Sequence, residues 1–237
     1  MNEVFVEVDA SMYPNGLNGD FVLGAEDAWK MEEKYGNGTG KFEDKETRDI
    51  AKHLDLLMKE FCADEIGVKK DAVVLDVGAG TGLLVNEFAQ IVGKGGHVYA
   101  TEISEAFAVI LRKRFADKKD IVDVVISTDD SMGVDKPGHI DVICICDVYH
   151  HFTKPLTMMR EAQKLLKTTG KLVVIDFHRD SSRITSHEAG WVERHVRADQ
   201  ATFRSEIESV GFQLLSEPCV EGMNENYIMV FEKTNAS

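Results

Sequence analysis

The stretch Val73-Val74-Leu75-Asp76-Val77-Gly78-Ala79-Gly80-Thr81-Gly82 limits the possible folds more than any other part of the chain. Val73 to Val77 is a nearly continuous apolar run, the pattern of a strand buried on both faces of a parallel sheet. Glycines follow at alternate positions, and a helical pattern begins at Leu83. Glycine lets the backbone bend sharply and come close to a ligand. The helix start beyond it offers unpaired N–H groups and the positive end of a dipole. Strand, glycine turn and helix in that order predict the first unit of a doubly wound α/β fold, with a nucleotide-like ligand over it.

The dinucleotide fingerprint Gly-x-Gly-x-x-Gly would put its third glycine at position 83, where this chain has Leu83. Asp76, just before the first glycine, would repel a pyrophosphate but can receive an amino group. Asp76-Val77-Gly78-Ala79-Gly80-Thr81-Gly82 instead resembles the first motif of the class I S-adenosylmethionine-dependent methyltransferases. That resemblance implies a seven-stranded Rossmann-like sheet of order 3-2-1-4-5-7-6, its last strand antiparallel and helices on both faces. It covers about residues 70 to 232 and leaves the first 60 or so unexplained.

The rest of the chain keeps the rhythm of an α/β domain, with no repeat or linker, so residues 1–237 read as one methyltransferase domain. Residues 1–40 are rich in loop chemistry around a short helical stretch, Ala25 to Glu33. Met12, Tyr13, Trp29 and Tyr35 are costly to leave in water, which favours a lid over a flexible arm. Ile50, Leu54, Leu57 and Phe61 recur at helical spacing and predict a helix over 44–62, within the N-terminal helical segment 41–64. After the helix that starts at Leu83, strands are expected at His97–Thr101, Ile121–Ser127, Ile140–Cys146 and Lys171–Ile175. Helices start after the N-cap Ser104 and at Pro155, and one spans Asp199–Val210. Two closing strands, Phe212–Glu217 and Tyr227–Glu232, have no helix between them, unlike a nicotinamide domain.

A net charge of -14 argues against nucleic acid as a partner, because such surfaces are basic. Cys62, Cys144, Cys146 and Cys219 show no metal or redox spacing. Cys144 and Cys146 fall on one face of a strand as small core residues. No charged-then-apolar leader opens the chain, and no apolar run approaches the roughly 18 residues of a membrane span. A cytoplasmic enzyme, monomer or homodimer, with no membrane span is expected.

Ligands of open α/β sheets lie beyond the carboxyl ends of the strands. Acids stand at five of those ends: Asp76, Glu102, Asp129-Asp130, Asp147 and Asp176. A polar, partly cationic ligand explains that convergence better than five separate turn formers. The resemblance assigns the cofactor, S-adenosyl-L-methionine, to Asp76, Gly78, Ala79, Gly80, Thr81, Gly82, Glu102 and Ile103. Glu102 would bond the ribose hydroxyls and Asp129 or Asp130 the adenine amino group. Asp147 would lie near the methionine moiety or the acceptor.

Asp147-Val148-Tyr149-His150-His151-Phe152, with Asp176 downstream, looks like the small-molecule, type 11 or UbiE-like branch. There a His-His pair after strand four and an acid after strand five face the acceptor. His150 is the first choice as general base, then Asp176; a histidine that only shapes the pocket is the alternative. Trp191 to Gln200 also looks like a segment of a bacterial subgroup. Neighbouring histidines diverge and no third ligand stands at a recognisable spacing, so no metal is expected.

The expected activity is methyl transfer to a hydroxyl or ring carbon of a small molecule, with S-adenosyl-L-homocysteine as product. A non-catalytic S-adenosylmethionine-binding module and a protein methyltransferase stay open. A nicotinamide oxidoreductase would need glycine at position 83.

Overall fold

The computed structural model describes residues 18–19, 21–38 and 40–234. Seven strands form one sheet: β1 Val73–Val77, β2 His97–Glu102, β3 Val122–Ile126, β4 Ile140–Cys146, β5 Leu166–Phe177, β6 Phe212–Ser216 and β7 Asn226–Lys233. Their order is β3-β2-β1-β4-β5-β7-β6. β3, β2, β1, β4 and β5 are mutually parallel, and β7 runs antiparallel between β5 and β6. This is the expected methyltransferase order, and it sets the switch point between β1 and β4.

The helices are α1 Ala28–Tyr35, α2 Asp49–Lys52, α3 Leu54–Cys62, α4 Leu83–Val92, α5 Glu105–Arg114, α6 Pro155–Leu165, α7 Trp191–His195 and α8 Gln200–Ser209. The β1 run is apolar because both its faces are covered. Val74 joins Phe61, Phe88 and Leu111, from α3, α4 and α5, on one side. Leu75 joins Met159 and Phe203, from α6 and α8, on the other. Burying side chains of this size contributes about 1.5–3 kcal/mol each. Cys144 and Cys146 do share the first of these cores. Among the described residues no helix is long and apolar enough to cross a membrane.

Several local expectations change. The helix expected over 44–62 starts at Asp49 and breaks at His53, whose φ of -106° and ψ of 21° interrupt α2 from α3. Asp44 folds a turn instead, its carboxylate accepting from the Glu46 N–H (2.9 Å) and the Thr47 hydroxyl (2.8 Å). β5 begins at Leu166 rather than Lys171: Leu166 pairs with Ile140 and Lys171 with Val142, with a register shift between them. Ser104 stands at the N-cap of α5 without a side-chain cap bond; its backbone N–H donates to Glu102 Oε1 instead (3.0 Å). Asp199 does cap α8, accepting from the Thr202 N–H.

Of the proposed lid, Met12 and Tyr13 lie outside the described residues. Met31 and Tyr35 of α1 are buried against Phe107 and Ile110 of α5. Trp29 does not follow them: it is 62% exposed, on the outer face of α1.

Gly82 shows why the third glycine sits where it does. Its φ is 91°, and a Cβ there would come within 2.6 Å of the Phe115 ring and 2.9 Å of Leu111. Left-handed backbone and overpacking each cost about 1–3 kcal/mol. Gly82→Ala is therefore expected to lower stability by about 2–4 kcal/mol, read as a shift of the urea midpoint at unchanged slope.

Candidate functional site

At the carboxyl edge of the sheet a cavity of about 420 Å³ runs from Gly78, Gly80, Glu102 and Ile103 to His150, His151 and His195. A smaller recess beside it is lined by Asp76, Ala79 and Thr81. The glycines make the first end possible. Gly78 has φ 70°, and a Cβ there would strike Val148 at 2.6 Å; at Gly80 it would meet the Phe42 ring at 3.2 Å.

Glu102 ends β2 with its carboxylate clamped: Oε2 accepts from the Gly80 N–H (2.9 Å) and Oε1 from the Ser104 N–H (3.0 Å). Burial raises its pKa while these backbone donors pull it down. Asp76 is 3% exposed. Burial, then the Glu102 charge, pushes it up to about 7. Two acids thus meet at the glycine turn, an environment that favours a cationic guest.

Asp147 takes a left-handed φ of 54° after β4. Its Oδ2 accepts from Arg48 (2.7 Å) and its Oδ1 from the Asn226 amide (2.7 Å). Burial pushes its pKa up to about 6, against the pull of Arg48. Arg48 also bonds the Phe42 carbonyl (3.0 Å) and lies over that ring, so it ties the loop before α2 to the end of β4.

His150 lies on a single 3₁₀ turn, Tyr149–His151. The buried Arg197 supports that turn from behind. Its guanidinium makes two 2.7 Å bonds to Glu206, whose Oε2 also accepts from the Tyr149 hydroxyl (3.1 Å). Asp176, wholly buried at the end of β5, accepts from the backbone N–H groups of His150 (3.1 Å) and Phe177 (2.8 Å). Its Oδ1 is also 2.7 Å from His150 Nδ1. With Asp176 accepting throughout, Nδ1 carries the proton and Nε2 the lone pair. Nε2 is buried and has no hydrogen-bond partner among the described residues. Burial, reinforced by the Arg197 charge, pushes His150 well down, so the ring is neutral. The same burial pushes Asp176 up, opposed by its donors.

Of the aromatic wall at this end, Phe177 and Trp191 lie in stretches the sequence already marked, and His187 was missed. Trp191 stacks between His187 (3.6 Å) and His195 (4.5 Å), and Phe177 meets it edge-on at 5.2 Å. Arg48 and Phe42 were missed as well, because long-range contacts leave no periodic signal. His195 lies within an already singled-out segment, yet its approach to His150 and His151 depends on the path of the whole connection.

The structure does not bring Asp129 and Asp130 to the cavity. Both carboxylates are about half-exposed and bridge to Lys154 at 3.0 and 3.1 Å. Strand β3 ends at Ile126, so these acids turn outward beyond it. Gly82 likewise packs against α5 rather than lining the cavity.

The raised Asp76 makes a stability test. Its carboxyl prefers the protonated form when folded, so the fold loses stability as pH rises from about 4 through about 7. Asp76→Asn is expected to raise stability at pH 8 by roughly 1–3 kcal/mol and to change it little at pH 4, in urea melts at both pH values.

The methyltransferase-domain family matches residues 75–172. Two ubiquinone/menaquinone biosynthesis C-methyltransferases named UbiE are similar. That of Azotobacter vinelandii is 30% identical over 132 residues, 55% of this chain and 52% of the relative. That of Bordetella bronchiseptica is 26% identical over 165 residues, 66% of this chain and 63% of the relative. The chain thus spans between half and two thirds of these relatives. Among solved structures, an S-adenosylmethionine-dependent methyltransferase from Aquifex aeolicus superposes with TM-score 0.67 at 19% identity, covering 87% of this chain and 98% of that one. The [4+2]-cyclase SpnF superposes with TM-score 0.62 at 14% identity, covering 76% and 81%. Residues 75–172 thus carry the methyltransferase-domain match, and the glycine turn, clamped Glu102 and 3-2-1-4-5-7-6 sheet give the chain the fold of the Aquifex aeolicus methyltransferase structure.

Proposed function

We propose that this chain transfers a methyl group from S-adenosyl-L-methionine to a small-molecule acceptor, at a ring carbon or hydroxyl. One observation carries the reading: a single cavity joins the Gly78–Glu102 end to the His150–His195 end. Cofactor and acceptor can therefore meet within one space.

The residues at the first end fit the cofactor. Glycine backbones leave room where side chains would clash, and Glu102 is preorganised by two N–H donors to receive hydroxyl groups. A cationic ligand there would favour the charged forms of Asp76 and Glu102. Bound there, S-adenosyl-L-methionine supplies an electrophilic methyl group on its sulfonium. Asp76, Gly78, Ala79, Gly80, Thr81, Glu102 and Ile103 hold the cofactor, with Gly82 setting the turn from behind. Asp129 and Asp130 are left out, since Lys154 holds both.

At the other end His150 is the group that removes the acceptor proton. Asp176 orients its ring and stabilises the imidazolium that forms, and Nε2 holds the available lone pair. Asp147 is a positioning residue, fixing Arg48 and Asn226 at the mouth of the cavity. The flat faces of Trp191 and His187 suit a planar acceptor. The matched relatives are named for ubiquinone/menaquinone C-methylation, which supports a phenol- or quinol-like ring and carbon as the methylated atom. We treat residues 70–232 as one catalytic unit, with the described part of 18–40 covering its edge. Four cysteines without disulfides agree with the cytoplasm.

A module that only binds the cofactor is the competing reading, and turnover separates the two. S-adenosyl-L-homocysteine is expected to bind by calorimetry, and Glu102→Ala to weaken it at least about tenfold without loss of cooperative unfolding. With phenols and quinols as acceptors, His150→Ala is expected to cut kcat by roughly 10²–10⁴ while leaving the KM for the cofactor unchanged. Methyl transfer at full rate by that variant removes His150 as the base. Cofactor binding with no transfer to any acceptor favours the module.

A further inference from the structure

We infer that His150, His151 and His195 form a binding site for one divalent transition-metal ion of the zinc class at the acceptor end of the cavity. One ring nitrogen from each of the three lies within 4.8 Å of the others. Their ring centroids are 4.2 Å apart for His150 and His151, and 5.0 Å from each of these to His195. Zinc–imidazole bonds of about 2.0–2.1 Å in tetrahedral geometry need nitrogens about 3.4 Å apart. A closure of up to about 1.4 Å, within the reach of side-chain rotation, completes the set.

Two of the rings are already oriented. Asp176 holds His150 through Nδ1, the carboxylate–histidine arrangement that fixes the tautomer of a metal-binding imidazole and raises its basicity. Stacking on Trp191 fixes His195. The third observation concerns Nε2 of His150. The residue is 1% exposed, and this atom is buried with no hydrogen-bond partner among the described residues. A buried polar atom left unmet is costly, and an ion supplies what it lacks. Three imidazoles and no carboxylate select the zinc, cobalt and nickel class over magnesium or calcium. All three rings line the cavity, so three protein ligands leave a fourth position open toward it, as in sites that bind a small oxygen ligand.

The site stands apart from the proposed transfer, because it needs neither cofactor nor acceptor. It does meet that reading at one atom. An ion on Nε2 takes the lone pair assigned above to proton removal, so the metal-loaded and metal-free proteins are two chemically distinct states of one pocket.

The test uses the untagged full chain, stripped with chelator and then titrated with Zn²⁺ by calorimetry and with Co²⁺ by visible absorption. The expected result is one ion per chain at micromolar affinity or tighter, with the intense ligand-field bands of tetrahedral cobalt. His151→Ala and His195→Ala are each expected to weaken binding at least about tenfold. His139→Ala, at an exposed position away from the cluster, leaves it unchanged. Thermal unfolding of each variant verifies the fold. No binding up to about 100 μM, an affinity of only about 5 kcal/mol, overturns the site. So does binding that survives both substitutions. Calorimetry with S-adenosyl-L-homocysteine on the same samples reads the transfer hypothesis separately, so either reading can fail alone.

Discussion

Two backbone N–H groups, of Gly80 and Ser104, close on the Glu102 carboxylate, and the carboxyl edge of the sheet is built around that clamp. Glu102 ends β2, Gly80 lies in the turn after β1, and Ser104 opens α5. One buried acid therefore ties together two parallel strands and the helix between them and β3. The same bonds hold one carboxylate oxygen of Glu102 toward the glycine turn and the other toward the start of α5. Burying this charge is expensive, and the donors offset part of that cost. Asp76, on the neighbouring strand β1, has no comparable set of donors among the described residues and is pushed toward its neutral form. Destabilised acids of this kind mark places where binding a cation is worth more than stability alone.

The opposite end of the cavity rests on a different device. Arg197 and Glu206 pair bidentately beneath Tyr149, fixing the short turn that carries His150 and His151. Asp176 then sets the ring of His150 from β5. Each partner comes from a separate element: the end of β4, the end of β5, the segment after α7 and helix α8. The antiparallel β7 adds Asn226, which joins Arg48 on Asp147. The arrangement is therefore rigid where protons or ions would be handled, and open toward the cavity.

The strand–turn–helix of Val73–Leu83 was readable because buried parallel strands and left-handed turns impose composition on the residues that form them. Glu102, His150 and Asp176 could be placed at strand ends by counting elements. Asp129 and Asp130 followed the same count and do not reach the cavity, because β3 stops at Ile126 and Lys154 draws both acids outward. The helix over 44–62 failed at His53 for a related reason: apolar spacing reports which face is buried, and α2 and α3 share a face across the break. Trp29 shows the limit of arguing from cost, since a large apolar side chain can stay exposed on a helix whose buried stripe lies elsewhere.

Local pattern in the chain was enough to specify the α/β class, the glycine turn after the first strand and the acids at the strand ends. These depend on short-range rules: period, glycine freedom and the alternation of strands with helices. The pairing of Arg48 with Asp147, 99 positions apart, and the gathering of His195 onto His150 and His151 depend on how loops travel between elements. Those paths are set by the packing of whole helices on the sheet, so no spacing in the sequence encodes them. The acids and histidines were visible one by one, and folding chose which of them meet.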